Sequence, residues 1–228
     1  RSGRRPRRVA SRAVPDRPVP GSNNWAVAGK HTVHGAAIVA NDMHLPLSVP
    51  GIWYRARFVW PSETGADHQL TGATLPGTPA LVVGSNTHIA WGFTNTEGDW
   101  SDLVLLEPDR GDAGRYLTPE GPRRLEWRTE VIKVKGAPDE VVQVAATVWG
   151  PVVGRDHRGR LRAQRWVAHD PAAIDFGLVG LESARTVAEA LAVAQRTGGP
   201  HMNLVVGDSR GDIGWTVLGR IPRRVGFD

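Results

Sequence analysis

The chain of 228 residues contains no cysteine. Disulfides, zinc–thiolate sites and cysteine nucleophiles are excluded, and the absence suits an exported chain as well as a cytosolic one. Nowhere does the sequence hold the roughly 20 consecutive apolar residues that a membrane-spanning helix requires. No membrane partner is expected. The opening Arg1-Ser2-Gly3-Arg4-Arg5-Pro6-Arg7-Arg8 has neither an initiator Met nor a following apolar stretch, so as it stands it is not a signal peptide. Positive charge is also scarce over most of the chain: of the formal +5, residues 1–21 supply +6, seven Arg against one Asp, which leaves −1 for all the rest. Nucleic-acid binding calls for a basic patch on a folded surface. Here the basic residues sit in a separable tail, and no nucleic-acid partner is expected.

Residues 1–21, rich in Arg and Pro, read as a flexible spacer, and 22–228 as the folded part, long enough to bury a real core. At the junction stands Gly21-Ser22-Asn23-Asn24-Trp25. Cutting the Gly21–Ser22 bond would give one residue both a hydroxyl and a free α-amine. The hydroxyl is a poor nucleophile near neutral pH, whereas an α-amine titrating near ~8 can take its proton directly or through one water. The residue types alone also suit a turn or cap.

Downstream, short apolar runs bounded by Gly, Pro and Asp turns predict strands over 25–27, 36–40, 52–60, 80–84 and 89–94, the last running toward Asn95, with a tight turn near His34-Gly35. Further strands are predicted over 103–107, 126–134, 141–148, 148–153 and 161–167. Thr186 and Glu189 form a capping box at the start of a helix over 186–195, ended by Gly198-Gly199-Pro200. A hairpin over 202–208 and 212–217 follows. Pairing the first two strands would bring His44 back toward Ser22. His44 reads either as a loop histidine bonded to backbone or as part of a site. A Ser22–His44–Asp42 triad is a rival chemistry, although Asp42, two residues from His44, is awkwardly placed to orient it. Asp99-Trp100-Ser101-Asp102 sets two carboxylates three apart with a carbonyl between, which is compatible with Ca²⁺.

Four blocks, Gly21 to Gly29 (GSNNWAVAG), Ala40-Asn41-Asp42-Met43-His44-Leu45, Trp53-Tyr54 and Gly84 to Thr96 (GSNTHIAWGFTNT), occur in the order seen at the start of the β-subunit of penicillin acylases, and the chain resembles that family from Gly21 to about Pro222. The resemblance implies an α+β fold, the N-terminal-nucleophile hydrolase αββα sandwich of antiparallel sheets, incomplete in this chain. It implies a precursor that cleaves itself between Gly21 and Ser22, with Ser22 as nucleophile, His44 positioning the α-amine and substrate region, and the backbone N–H of Asn95 as one oxyanion donor. It implies a structural Ca²⁺ held by Asp99, Ser101 and Asp102, with Pro222 a possible further carbonyl ligand, and no organic cofactor. The substrate class it implies is a linear amide: a penicillin, a cephalosporin or an acyl-homoserine lactone. An α-subunit, the rest of the β-subunit and a second oxyanion donor are expected outside this chain, so the isolated chain is expected to be inactive. A periplasmic or extracellular location is expected on the same ground. The rival class is a non-catalytic β-rich binding module in which Ser22 stays internal and the basic tail contacts an acidic partner.

Overall fold

A computed structural model describes residues 21–45, 48–63 and 65–225. All of the predicted spacer except Gly21 lies outside the described residues. The core is an antiparallel six-stranded sheet, ordered β16-β15-β6-β5-β4-β3, from β3 (Tyr54–Trp60), β4 (His68–Thr74), β5 (Val83–Ser85), β6 (Ile89–Asn95), β15 (Met202–Asp208) and β16 (Ile213–Leu218). Its central strands β6 and β15 are the most deeply buried, and Ile89, Trp91, Phe93, Leu204 and Val206 project into one hydrophobic cluster with Leu181, Val187, Ala190 and Ala194.

The helix α1 (Val187–Ala194) closes one face of this sheet. Thr186 caps it, its hydroxyl accepting from Glu189 N at 3.1 Å, while the Glu189 carboxylate reaches back to Arg185 N at 2.7 Å. The capping box is therefore present, displaced by one residue on the carboxylate side. Asp208, 3 % exposed, fixes the β15–β16 turn by accepting from the N–H groups of Arg210 and Asp212 and, at 3.2 Å, from Val187 N at the start of α1.

The opposite face carries a two-stranded hairpin, β1 (Ser22–Val27) and β2 (Ile38–Met43), seated where glycines let it approach. A Cβ on Gly207 would lie 2.7 Å from Ala37 Cβ, and one on Gly92 would lie 2.9 Å from Asn41 Cβ. At the far end Gly29 N donates to Gly211 O at 2.9 Å. Both strands extend further toward Ser22 and Met43 than expected, and the predicted tight turn is instead a ten-residue connection with a 3₁₀ turn over Gly29–His31. Tertiary pairing extends the strands through Asn-rich sequence that local preference would leave as loop.

A second region is a five-stranded sheet, ordered β11-β12-β13-β14-β7, from β7 (Ser101–Leu105), β11 (Glu126–Ile132), β12 (Glu140–Thr147), β13 (Gly150–Arg155) and β14 (Leu161–Trp166). Between β7 and β11 lies a small sheet of β8 (Pro108–Asp109), β9 (Asp112–Tyr116) and β10 (Arg123–Arg124). Its core gathers Leu106, Tyr116 and Ala163. The architecture is mostly antiparallel sheet with few helices. Helix, sheet and hairpin make three layers; among the described residues no helix covers the outer face of the hairpin, where Trp25 is 54 % exposed. No helix of the described residues is long and apolar enough to cross a membrane.

Candidate active site

Ser22 opens β1 and pairs with Met43 at the end of β2. Side chains alternate along paired strands, so Ser22, Asn24, Asn41 and Met43 share the face toward the six-stranded sheet, whereas Asn23, Asp42 and His44 share the outer one. The hairpin runs over the sheet in a fixed direction: Ala37 sits on Gly207, the partner of Ala90, and Asn41 sits on Gly92. Continued past Met43, β2 therefore heads for the Asn95 end of β6. Ser22, His44 and Asn95 are thereby brought to one end of the molecule.

Three asparagines that sequence reasoning passed over hold this arrangement. Asn41 Nδ2 donates to Phe93 O at 2.8 Å and to Asn23 O at 3.0 Å, tying both hairpin strands to β6. Asn24 Nδ2 donates to Gly92 O at 3.2 Å and Asn203 O at 3.4 Å. Asn203 Nδ2 donates to Asn95 O at 3.0 Å and Thr94 Oγ1 at 3.2 Å, and its Oδ1 accepts from Trp215 Nε1 at 3.1 Å. Each of these backbone carbonyls thus receives a side-chain amide donor. Asn41 stands in a motif block, and its run of polar residues inside a strand was the available signal.

His44 Nε2 lies 2.9 Å from Asp42 Oδ2 and 3.2 Å from Asn23 Nδ2. Asp42 does hold the imidazole, against the expectation that two residues' separation makes this awkward: both stand on the same side of an extended segment. The triad is nevertheless not assembled, because the pair occupies the hairpin face opposite the Ser22 side chain. The other ring nitrogen, Nδ1, is 3.8 Å from where a Cβ on Gly21 would lie. The ring is therefore against the Gly21 side of the Gly21–Ser22 bond.

Asp99 and Asp102 are brought together, but around an arginine. Arg224 Nη1 donates to Asp102 Oδ2 at 2.6 Å, and Nη2 donates to Asp99 O at 2.9 Å and stands 3.1 Å from Asp99 Oδ2. Hydrogen bonding to the Asp102 carboxylate raises the Arg224 pKa above its usual value. Ca²⁺ takes six to eight oxygen ligands; of the oxygens expected to bind it, Asp102 Oδ2 accepts from the guanidinium and Asp99 Oδ2 faces it, and among the described residues no three His, Asp or Glu side chains gather as a metal site. Both carboxylates of the expected site are thus engaged by Arg224. Ser101 is exposed at the start of β7 opposite Trp166, and Pro222 lines a cavity of about 450 Å³ with Trp100, Asp102 and Arg220.

Comparison with known proteins bears on this geometry. A profile of the family described as Penicillin amidase matches residues 3–228. The chain is 30 % identical over 222 residues to acyl-homoserine lactone acylase QuiP of Pseudomonas aeruginosa, covering 90 % of this chain and 25 % of that protein. It is 31 % identical over 209 residues to penicillin acylase 2 proenzyme of Pseudomonas sp. (strain SE83), covering 90 % and 26 %. A thermostable penicillin G acylase from Alcaligenes faecalis superposes with a TM-score of 0.76 at 23 % identity, covering 89 % of this chain and 36 % of that one, a similarity of fold. The chain spans about a quarter of the length of the curated relatives it matches.

Proposed function

The chain belongs to the penicillin amidase family, and from that premise we propose that it carries the nucleophile-bearing segment, the start of the β-subunit, of a hydrolase that removes the acyl group from linear amides. The observation that carries this reading is the pairing of Ser22 with Met43, which makes the serine the first residue of β1, directly after Gly21 and one position across the ladder from His44.

In the proposed reaction the precursor is first cut between Gly21 and Ser22. His44 Nδ1, now against Gly21, is then beside the new α-amine, with Asp42 and Asn23 steadying the ring from Nε2. The amine takes the proton of Ser22 Oγ as that oxygen attacks the substrate carbonyl carbon, and returns it to the leaving nitrogen as the C–N bond breaks. Water, activated by the same amine, attacks the ester, frees the acid and restores the hydroxyl. The backbone N–H of Asn95 is assigned to the oxyanion of each tetrahedral intermediate; one such donor contributes about 3 kcal/mol. Asn203 holds the Asn95 carbonyl and so fixes the backbone at this point.

The second oxyanion donor and most of the acyl pocket are assigned to an α-subunit and to the rest of the β-subunit. A helix over the hairpin, completing the αββα sandwich, belongs to the same missing part. Exposed Trp25 on the hairpin and the apolar groove of about 390 Å³ along Phe58, Trp60, Leu70 and Leu81 are surfaces that such additional chain would cover. The proposed compartment is the periplasm or the extracellular space.

Acyl-homoserine lactones are the favoured substrates, on the histidine at position 44. Processed protein from the full coding sequence is expected to hydrolyse both a long-chain acyl-homoserine lactone and a phenylacetyl amide, with the higher kcat/KM on the lactone and ping-pong behaviour toward added nucleophiles. Turnover of neither amide would contradict the proposed function; faster turnover of the phenylacetyl amide would overturn the preference alone.

A further inference from the structure

The corner between β6 and β7 begins immediately after Asn95 and is folded on itself. Trp100 Nε1 donates to Thr96 O at 3.3 Å, and the indole stacks on His201 with ring centroids 3.8 Å apart and planes 1° from parallel. A Cβ on Gly98 would lie 2.2 Å from that indole, so only glycine fits beneath it. Val167 N donates to Trp100 O at 3.2 Å, fastening the corner to the end of β14. What remains is the outer rim, Asp99 and Asp102, and this rim is closed by Arg224 from a segment more than 120 residues later in the chain.

We propose that Arg224 is the built-in cation of this corner, doing with a guanidinium what a bound metal ion would otherwise do, and that the corner takes up no calcium. A fork that is always charged and carries several N–H donors can serve several oxygens at once, and three oxygens of the rim accept from it or face it: Asp102 Oδ2, Asp99 O and Asp99 Oδ2. A divalent ion approaching the same oxygens would be repelled by the guanidinium it must displace. The surroundings add to that repulsion. Arg165 stands directly opposite Asp102 in the β14–β7 pairing, and Arg165 and Arg220 line the adjoining cavity with Asp102. Asp99 and Asp102 are respectively 69 % and 48 % exposed, so each ion pair alone contributes little. The contribution of Arg224 lies in joining the segment after β16 to the corner behind Asn95, which makes it a positioning residue. That last consequence rests on the role proposed for Asn95; the exclusion of calcium does not.

The test uses processed protein from the full coding sequence and two readouts that do not depend on turnover. Terbium luminescence excited through tryptophan reports an ion at the rim, with Trp100 between the two aspartates as the sensitiser, and thermal melting is followed with calcium or a chelator added. The wild type is expected to give no terbium signal attributable to the rim and the same Tm in calcium and in chelator. Arg224→Ala is expected to melt a few degrees lower, to regain part of the loss in millimolar calcium and to acquire a terbium signal that Arg224→Ala/Asp102→Asn loses. In the same variant kcat is expected to fall several-fold with KM little changed. A wild-type terbium signal or calcium-dependent Tm that Asp102→Asn removes would overturn the proposal, as would an Arg224→Ala protein that melts with the wild type and ignores calcium. A kcat unchanged in Arg224→Ala, with the ion readouts as expected, would overturn the link to Asn95 while leaving the exclusion of calcium supported.

Discussion

Ser22→Ala is expected to leave the Gly21–Ser22 bond uncut and to reduce amide hydrolysis by at least about 10⁴-fold. Removal of the hydroxyl deletes the atom that attacks, both in the precursor and in turnover, and water positioned in its place has neither the adjacent amine nor the same geometry. The fold should be indifferent to the change. Ser22 enters the β1–β2 ladder through its backbone, opposite Met43, and alanine keeps that backbone intact. Intact mass, hydrolysis rate and Tm measured together separate the cases: an uncut, inactive chain with wild-type Tm agrees, and substantial hydrolysis by the variant contradicts the role given to Ser22.

Asn86→Ala is expected to destabilise the protein by about 4 kcal/mol, the largest single loss of stability foreseen for a side chain of this size. The Asn86 side chain is 7 % exposed and makes five hydrogen bonds. Its Nδ2 donates to Leu181 O at 3.1 Å, Glu182 O at 3.1 Å and Ala184 O at 2.7 Å; its Oδ1 accepts from His88 N at 3.0 Å and Ile89 N at 2.9 Å. Alanine would deprive the carbonyls of Glu182 and Ala184 and the N–H groups of His88 and Ile89 of this partner and leave Leu181 O with the Ala184 N–H alone, in a largely buried place. The same amide also stabilises a strained turn, since Thr87, next in sequence, holds φ at 73°, a region that β-branched residues rarely enter. The turn leads directly into β6, so the strand that ends at Asn95 begins at this anchor. Asn86→Asp keeps the two acceptor bonds but loses the three donor bonds and places a charge against carbonyl oxygens, and is expected to be no better. Thermal or denaturant unfolding checks both; a loss below about 1 kcal/mol for Asn86→Ala would mean that the turn finds other partners.

How much of this was legible in the sequence differs from element to element. The apolar run from Ile89 to Thr94 and the Ser-Arg-Gly turn of the β15–β16 hairpin are local signals, and the strands stand within a residue of where they were expected. Thr186 and Glu189 likewise announced α1. The β1–β2 hairpin was visible as a pair of apolar runs, but its extension to Ser22 and Met43 was not, because Asn23, Asn24, Asn41 and Asp42 disfavour strand until Asn24 and Asn41 find carbonyls on β6 and β15. Whether an asparagine is a turn residue or a cross-brace depends on what lies across the sheet, and a single chain of letters does not contain that. Asp99 and Asp102 show the same limit from the other side. Their spacing is compatible with a shared cation, and in the structure both face Arg224, 122 residues beyond Asp102. The chemistry of the acidic pair was readable; its partner was not.

The central claim is that the Gly21–Ser22 bond is broken to make Ser22 a chain terminus, and the most direct measurement is N-terminal sequencing, with intact mass, of the protein expressed from its full coding sequence. The account predicts a subunit that begins Ser-Asn-Asn-Trp. A hydrolytically active protein in which Gly21 and Ser22 are still joined would contradict it.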